Sequence, residues 1–320
     1  MSCPVGVDVV RAARLLREGK LVSFATETVY GLGANALDVN AVARVFAVKS
    51  RPHFDPLIVH IAERSWLPRL VTAWSETAER LAARFWPGPL TLVLPKTELV
   101  PDLVTAGLPS VAVRMPSHPI ALELLRLADV PVAAPSANLF GQLSPTRAEH
   151  VADRLGDQID YLLDGGPCSV GVESTVLLLE SSRAVLLRPG GVALEEIEAC
   201  IGSVALPSRV TTSDQEAAPS PGMLPQHYAP RTPLEIVENL DALASPNRCG
   251  LLTLQAHPAA SRFAAVEVLS VSGDLTEAAA NFFAALRRLD AAGIERIVAV
   301  LFPNRGLGRA LNDRLTRAVH

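Results

Sequence analysis

LVSFATETVYGLGANALDVNAVARVFAVK, Leu21–Lys49, is the stretch on which the fold turns. Leu21–Ala25 is a short apolar run, of strand length. Val39–Lys49 repeats its apolar residues at helical spacing, and Asp38 or Asn40 stands where an N-cap belongs. Between them, Thr26-Glu27-Thr28-Val29-Tyr30-Gly31-Leu32-Gly33 supplies hydroxyls, a carboxylate and two glycines. Taken alone it reads as a β-turn with a threonine as local cap, although such a loop can also present hydroxyls to a ligand. Strand, polar loop and helix in succession are the unit of an α/β fold.

Working outward, Val9–Arg17 has a helical period, and Leu57–Ile61 reads as a strand. Glu76–Phe85 is helical and ends at the Pro87-Gly88-Pro89 turn. Leu90–Leu94, Val111–Arg114, Val130–Ala134, Val176–Leu179 and Val185–Leu187 are strand-like. Thr146–Leu155 reads as a helix opened by a capping box, Thr146 to Glu149. The alternation predicts a twisted mixed sheet in an α/β domain over residues 1–203. From Pro207 to Pro233 there are six prolines among Ser, Thr, Asp and Gln, the composition of a stiff linker, placed at 204–231. The pattern then restarts over 232–320. Strands are expected at Leu234–Val237, Gly250–Leu254, Val266–Val271 and Ile297–Phe302, with helices at Thr276–Asp290 and Gly308–Ala318. This is a smaller, Rossmann-like α/β domain with parallel strands.

The 320 residues are 49% hydrophobic and 19% charged, which excludes disorder and predicts packed cores. A net charge of -4 argues against a stable, non-specific DNA interface but not against a local basic cleft. No apolar run reaches membrane length, and Met1–Lys20 lacks the order of a secretory signal. Four scattered cysteines without C-x-x-C suit reduced thiols in the cytoplasm. The histidines lack zinc-site spacing, so no side chain is assigned to a metal.

Two glycine patterns invite a nucleotide reading. Gly31-Leu-Gly33-Ala-Asn-Ala36 is discounted because no helix opens directly after it. Gly306-Leu-Gly308 sits between a strand and a helix, where it could bind a phosphate, but a loop serving tight packing is the favoured reading. Lys49-Ser-Arg51-Pro52 places two cations where Pro52 favours extended chain, which would set both on one face toward a polyphosphate; complementing a helix C-terminus is the competing role. Small hydroxyls and single arginines recur at strand ends: Arg114, Ser136 and Asn138, Ser144, Ser174, Arg188. Capping, turn and surface roles cover each singly, but their recurrence favours anion binding over covalent catalysis.

Seven motifs occur in order: T-E-T-V-Y-G-L-G; K-S-R-P with P-L-I-V-H; W-P-G-P-L-T; P-S-A-N; S-P-T; G-V-E-S-T-V; and L-R-P-G-G. Together they resemble the YrdC-type threonylcarbamoyl-AMP synthases over roughly the first two hundred residues. Ser220–Pro230 and Gly306–Leu315 resemble the linker and C-terminal domain of the two-domain members. The resemblance implies a twisted sheet enclosing a basic cleft. It also implies that L-threonine, bicarbonate and ATP become threonylcarbamoyl-AMP and pyrophosphate, for a downstream tRNA-modifying transferase machinery. By resemblance, Thr28, His60, Arg114, the Ala134 backbone and Ser174 hold threonine. Lys49, Arg51, Asp55, Ser110, Ser136, Asn138, Ser144, Arg188 and Tyr228 surround ATP, with Lys49 and Arg51 the catalytic cations. Mg2+ accompanies ATP, and residues 220–230 fold over the nucleotide. Ala25 replaces the proline usual before T-E-T, Asp55 the asparagine frequent before P-L-I-V-H, and Phe140 a small or polar residue. A related carbamoyl-transferring enzyme and a passive RNA-binding module are the alternatives.

Overall fold

The computed structural model describes residues 3–180, 183–206, 227–240, 243 and 245–319. Most of the expected linker, and the expected fold of 220–226 over a nucleotide, lie outside the described residues. The larger sheet contains β1 (Val5–Gly6), β2 (Val22–Phe24), β3 (Gly31–Asn35), β4 (Ile58–His60), β5 (Leu90–Pro95), β6 (Ser110–Arg114), β7 (Val132–Ala133), β8 (Tyr161–Leu163), β9 (Thr175–Leu179) and β10 (Ala184–Arg188). Their spatial order is β1-β8-β2-β3-β7-β4-β6-β5-β9-β10. Parallel pairs (β4 with β6, β5 with β9) mix with antiparallel ones (β5 with β6, β9 with β10). This is the mixed, twisted α/β sheet that the alternation predicts.

Helix α1 (Val9–Arg17) and helix α5 (Pro119–Ala128) pack together on the β2–β8 side, through Ala12, Ala13 and Leu16 against Ala121, Leu124 and Leu125. Helix α2 (Val39–Lys49) is capped by Asp38, whose carboxylate accepts from the N–H groups of Asn40 and Ala41. Its apolar face joins the main core through Ala41, Val42, Val45 and Phe46, alongside α3 (Glu76–Phe85). Two further helices, α4 (Asp102–Thr105) and α7 (Leu194–Ile201), are short elements outside the strongest sequence signals.

Three local expectations are corrected. Gly31–Gly33, the end of the stretch expected as a turn, instead opens strand β3, paired to β2 at Gly33–Val22. A Cβ on Gly33 would lie 2.8 Å from the Phe24 ring and 2.9 Å from Val132, so glycine is needed for close packing inside the sheet. The capping box at Thr146 is absent: α6 (Ala148–Leu155) begins after Arg147 without a side-chain cap. Thr146 is instead tied by its backbone, its N–H to His150 Nδ1 and its carbonyl to Cys168 N–H. Lys49 and Arg51 are not on extended chain, because Ser50 caps α2 at φ 51°, ψ 39°. The left-handed cap, not Pro52, sets their directions.

The smaller sheet is parallel throughout: β11 (Leu234–Ile236), β12 (Cys249–Thr253), β13 (Ala265–Val268) and β14 (Arg296–Ala299), in the order β11-β14-β12-β13. Helix α8 (Leu275–Asp290) and helix α9 (Gly308–Ala318) cover it with Phe282, Phe283, Leu286 and Leu315. The same core takes in Val29, Leu143, Val172 and Tyr228. Apolar packing therefore runs continuously from this domain to the rim of the larger sheet, which holds the two units in one arrangement.

Candidate active site

A cavity lies against the larger sheet. Ile58 and His60 stand two apart on β4, and Arg114 pairs with His60 across β6. His60 and Arg114 are the last residues of their strands, so the cavity lies at the strand ends where the hydroxyls and arginines recur. Loops close it: Thr26, Thr28 and Gly31 before and in β3, Ala134–Ser136 after β7, Glu173 and Ser174 before β9, Arg188 at the end of β10, and His227 and Tyr228. Its volume is about 50 Å3, room for one or two water molecules.

One wall is built around Arg114. Its Nη2 pairs with Glu27 Oε1 at 2.7 Å, its Nη1 donates to Thr28 Oγ1 at 2.9 Å, and its Nε donates to Gly88 O at 3.3 Å. Thr26 Oγ1 donates to Val29 O and accepts from the N–H groups of Thr28 and Val29, which fixes the T-E-T loop. Burial alone would raise the Glu27 pKa; the Arg114 charge, its hydrogen bond and backbone N–H groups together outweigh it and hold the carboxyl below its usual range. His60 is pushed down to about 3 by burial, with the Arg114 charge adding to it, so the ring is neutral at pH 7. Its Nδ1 donates to Ile58 O at 3.2 Å, because a carbonyl can only accept. A carboxylate reaching Arg114 meets a fork already shared with Glu27 and Thr28, so it can occupy only part of that fork.

The opposite wall carries more cations. Arg51 pairs with Asp55 Oδ2 at 2.9 Å and donates to the carbonyls of Asp55 and Pro56. Both side chains are at most 3% exposed. Lys49 Nζ donates to the carbonyls of Ser136 and Asn138, and Asn138 Nδ2 ties the loop to Leu139 and Gln142. Burial, then the Arg51 charge, pushes the Lys49 ammonium well below its usual value. Arg188 donates to Ser174 O at 3.0 Å, and Ser174 Oγ shares a hydrogen bond with Thr91 Oγ1. Glu173 accepts from Ser144 Oγ on one oxygen and from Arg314 Nε, at 2.7 Å, on the other. Tyr228 adopts φ +66°, uncommon for an aromatic residue, with the Arg314 guanidinium 5.0 Å from its ring centre. Ala229 N–H reaches Gly141 O, and His227 stacks edge-on against Phe140.

Of the residues expected at the site, Thr28, Arg51, His60, Arg114, Ala134, Ser136, Ser174, Arg188 and Tyr228 meet at the cavity. Lys49, Asp55, Asn138 and Ser144 stand one layer behind, bonded to residues that line it or to their backbone. Ser110 begins β6, four residues before Arg114, and does not line the cavity. Asp55, which stands where asparagine is frequent, pairs its charge with Arg51. Sequence reasoning left out Glu27, Glu173, His227 and Arg314. Glu27 and Glu173 lie inside the quoted motifs, where a carboxylate in a basic constellation is the signal that an arginine must be held in place; His227 and Arg314 lie in the linker and C-terminal segments. No group of three or more His, Cys, Asp or Glu suited to a metal ion occurs among the described residues. Glu27, Asp55 and Glu173 are each committed to an arginine.

A family model described as telomere recombination matches residues 14–190, and one described as threonylcarbamoyl-AMP synthase, C-terminal domain, matches residues 192–319. Threonylcarbamoyl-AMP synthase of Pyrococcus abyssi is 46% identical over 320 residues, covering 96% of this chain and 92% of its own. That of Bacillus subtilis is 45% identical over 322 residues, covering 97% and 92%. The crystal structure of P. abyssi Sua5 complexed with L-threonine superposes with a TM-score of 0.90 at 44% identity, over 99% of this chain and 97% of that one. Fold and both halves of the sequence agree: the chain belongs to the Sua5/YciO/YrdC family, in the two-domain form of the threonylcarbamoyl-AMP synthases.

Proposed function

We propose that this cavity makes threonylcarbamoyl-AMP, from L-threonine, bicarbonate and ATP, for transfer to tRNA by a downstream enzyme. The observation that carries the reading is one buried cavity with Arg114, Thr28 and His60 on one side and Arg51, Arg188 and Tyr228 on the other. The first group suits an amino acid: a guanidinium for its carboxylate, and a neutral imidazole and hydroxyls for its polar groups. The second suits a nucleotide, with two arginines for phosphate and a ring for the base or ribose.

The threonine amine attacks bicarbonate carbon, giving a carbamate with loss of water. A carbamate oxygen then attacks the α-phosphorus of ATP, and the bond to the pyrophosphate oxygen breaks. No protein nucleophile is needed; positioning and neutralisation of developing charge supply the catalysis. Arg51 is aimed by Asp55. Lys49, through its hydrogen bonds to the Ser136 and Asn138 carbonyls, orders the loop that lines the cavity. Mg2+ enters as part of the nucleotide substrate, bound mainly by phosphate oxygens and water. His227 and Tyr228, which line the cavity, would shield a bound adenylate from water. The four free cysteines suit a reducing cytoplasm, where the tRNA substrate of the pathway is found.

The test is incubation with ATP, Mg2+ and bicarbonate against each amino acid, following pyrophosphate and the adenylate by mass spectrometry. Threonine-dependent pyrophosphate release is expected. Turnover that needs carbamoyl phosphate in place of threonine, or binding without any turnover, would overturn the reading.

A further inference from the structure

We infer that Arg314, on the C-terminal helix α9, is a positioning residue for the nucleotide side of the site, so that the C-terminal domain forms part of the active-centre wall. The inference rests on the nucleotide reading of Arg51, Arg188 and Tyr228. Arg314 is fully buried, at 0% exposure. Its Nε pairs with Glu173 Oε2 at 2.7 Å, its Nη2 donates to Pro189 O at 3.0 Å, and its Nη1 meets Asp313. The guanidinium lies over Tyr228.

One side chain therefore joins three separate pieces of the cavity wall. Glu173 lines the cavity and accepts the Ser144 hydroxyl. Pro189 directly follows Arg188, whose own guanidinium holds Ser174. Tyr228 closes the cavity from the far end of the linker. The segment is also sewn to α9 through His227 N–H on Arg317 O.

Docking alone does not call for this arrangement. The seam around it is apolar, with Val29, Leu143 and Val172 packed against α8 and α9. Replacing a buried ion pair by packed apolar side chains is often neutral or stabilising. A buried arginine with forked contacts fixes orientation instead. Arg309–Glu195 shows what a plain docking pair looks like at this interface: 3.2 Å, with both side chains about a third to a half exposed.

The experiment uses the full chain with Arg314→Met, Arg314→Lys, Glu173→Gln, Arg314→Met combined with Glu173→Gln, and Arg309→Ala as the docking control. ATP and threonine binding are measured separately by calorimetry, with thermal melts alongside. Arg314→Met is expected to weaken ATP binding about tenfold while threonine affinity stays within about twofold. Arg314→Lys is expected not to restore it, because an ammonium cannot span Glu173 and the Pro189 carbonyl while covering the ring. The double variant is expected to lose little beyond Arg314→Met alone, because the two residues act as one unit. Arg309→Ala should leave both affinities unchanged. A lower melting temperature with both affinities intact, or equal loss of both, would overturn the inference and leave Arg314 a docking residue. If Arg314→Met does not fold, Arg314→Lys decides by the same split. A wild-type protein without threonine-dependent turnover would sink the proposed reaction, while the ATP-binding comparison would still judge Arg314.

Discussion

At the scale of single residues, the site is a set of arginines aimed by carboxylates. Arg51 has Asp55, Arg114 has Glu27 and Arg314 has Glu173, all buried. A guanidinium left alone in a closed cavity would be an uncompensated buried charge without a fixed direction; pairing one side of each with a carboxylate supplies both partner and aim. Two substitutions test this. Asp55→Asn removes the charge that orients Arg51, so ATP binding should weaken by severalfold and the Mg2+ requirement for turnover should stay put. Titrations with Mg2+ and with EDTA check it, and a shifted metal requirement would mean that Asp55 acts on the ion. Arg114→Lys keeps the charge but not the fork to Glu27 and Thr28. It should lower threonine affinity about tenfold to a hundredfold, the worth of one charged hydrogen bond of roughly 1.5–3 kcal/mol. ATP binding should change little, and calorimetry with each ligand separates the two.

At the scale of elements, the loop before β9 meets helix α8 of the other domain at Gly171. This residue sits at φ +75°, and a Cβ there would lie 2.4 Å from Ala279 O and 2.5 Å from Ala280 Cα. Gly171→Ala therefore combines left-handed backbone strain with a backbone clash, and neither has a flexible side chain to absorb it. It should destabilise by more than about 1 kcal/mol and loosen the loop carrying Glu173 and Ser174, lowering both the melting temperature and turnover. Unchanged melting would mean that the seam is slack there. Elements with regular periods were legible from sequence: Glu76–Phe85 and Gly308–Ala318 have the boundaries that apolar spacing sets. β3 was not, because Gly-Leu-Gly-Ala-Asn carries no β-propensity and is a strand only because Phe24 and Val132 need the room. α5 was also missed, though Pro119 opens it and Ala121, Leu124, Leu125 and Ala128 share a face. The site residues were legible as motifs, but their layering was not. That Lys49, Asp55 and Ser144 stand behind the cavity follows from the αL cap at Ser50, the Arg51–Asp55 pair and the long-range bonds of Lys49 to Ser136 O and of Ser144 to Glu173, and the long-range bonds have no local sequence signature.

At the scale of the whole molecule, the chain concentrates buried ionisable groups along one path, from the Glu27–Arg114 wall to the Arg314 seam. This makes its stability depend on pH in a definite direction. His60 is pushed to about 3 in the folded protein by burial and the Arg114 charge, against 6.5 when exposed. Between those values the unfolded chain binds the proton that the folded one refuses, so stability falls as pH drops through 6.5 toward 3. From pH 6.5 to pH 5 this residue alone costs about 2 kcal/mol. His150, lowered to about 4 by burial and then by Arg287 and Arg147, acts with the same sign, as does His227, lowered by burial and then by Arg51 and Lys49. The Glu27 and Glu173 carboxyls are held below 4.5 by their arginines, despite burial, so their share is lost only at lower pH. The ligand-free protein should therefore weaken between pH 7 and pH 5, before the Glu27 and Glu173 carboxyls titrate. Urea melts of wild type and His60→Gln at both pH values measure the slope. The variant should keep the loss due to His150 and His227 but shed the His60 share, narrowing the difference between the two pH values by about 2 kcal/mol. An unaltered difference would mean that His60 is solvated in the folded protein and carries its proton near neutral pH, which would also remove it as the neutral partner for a threonine side chain.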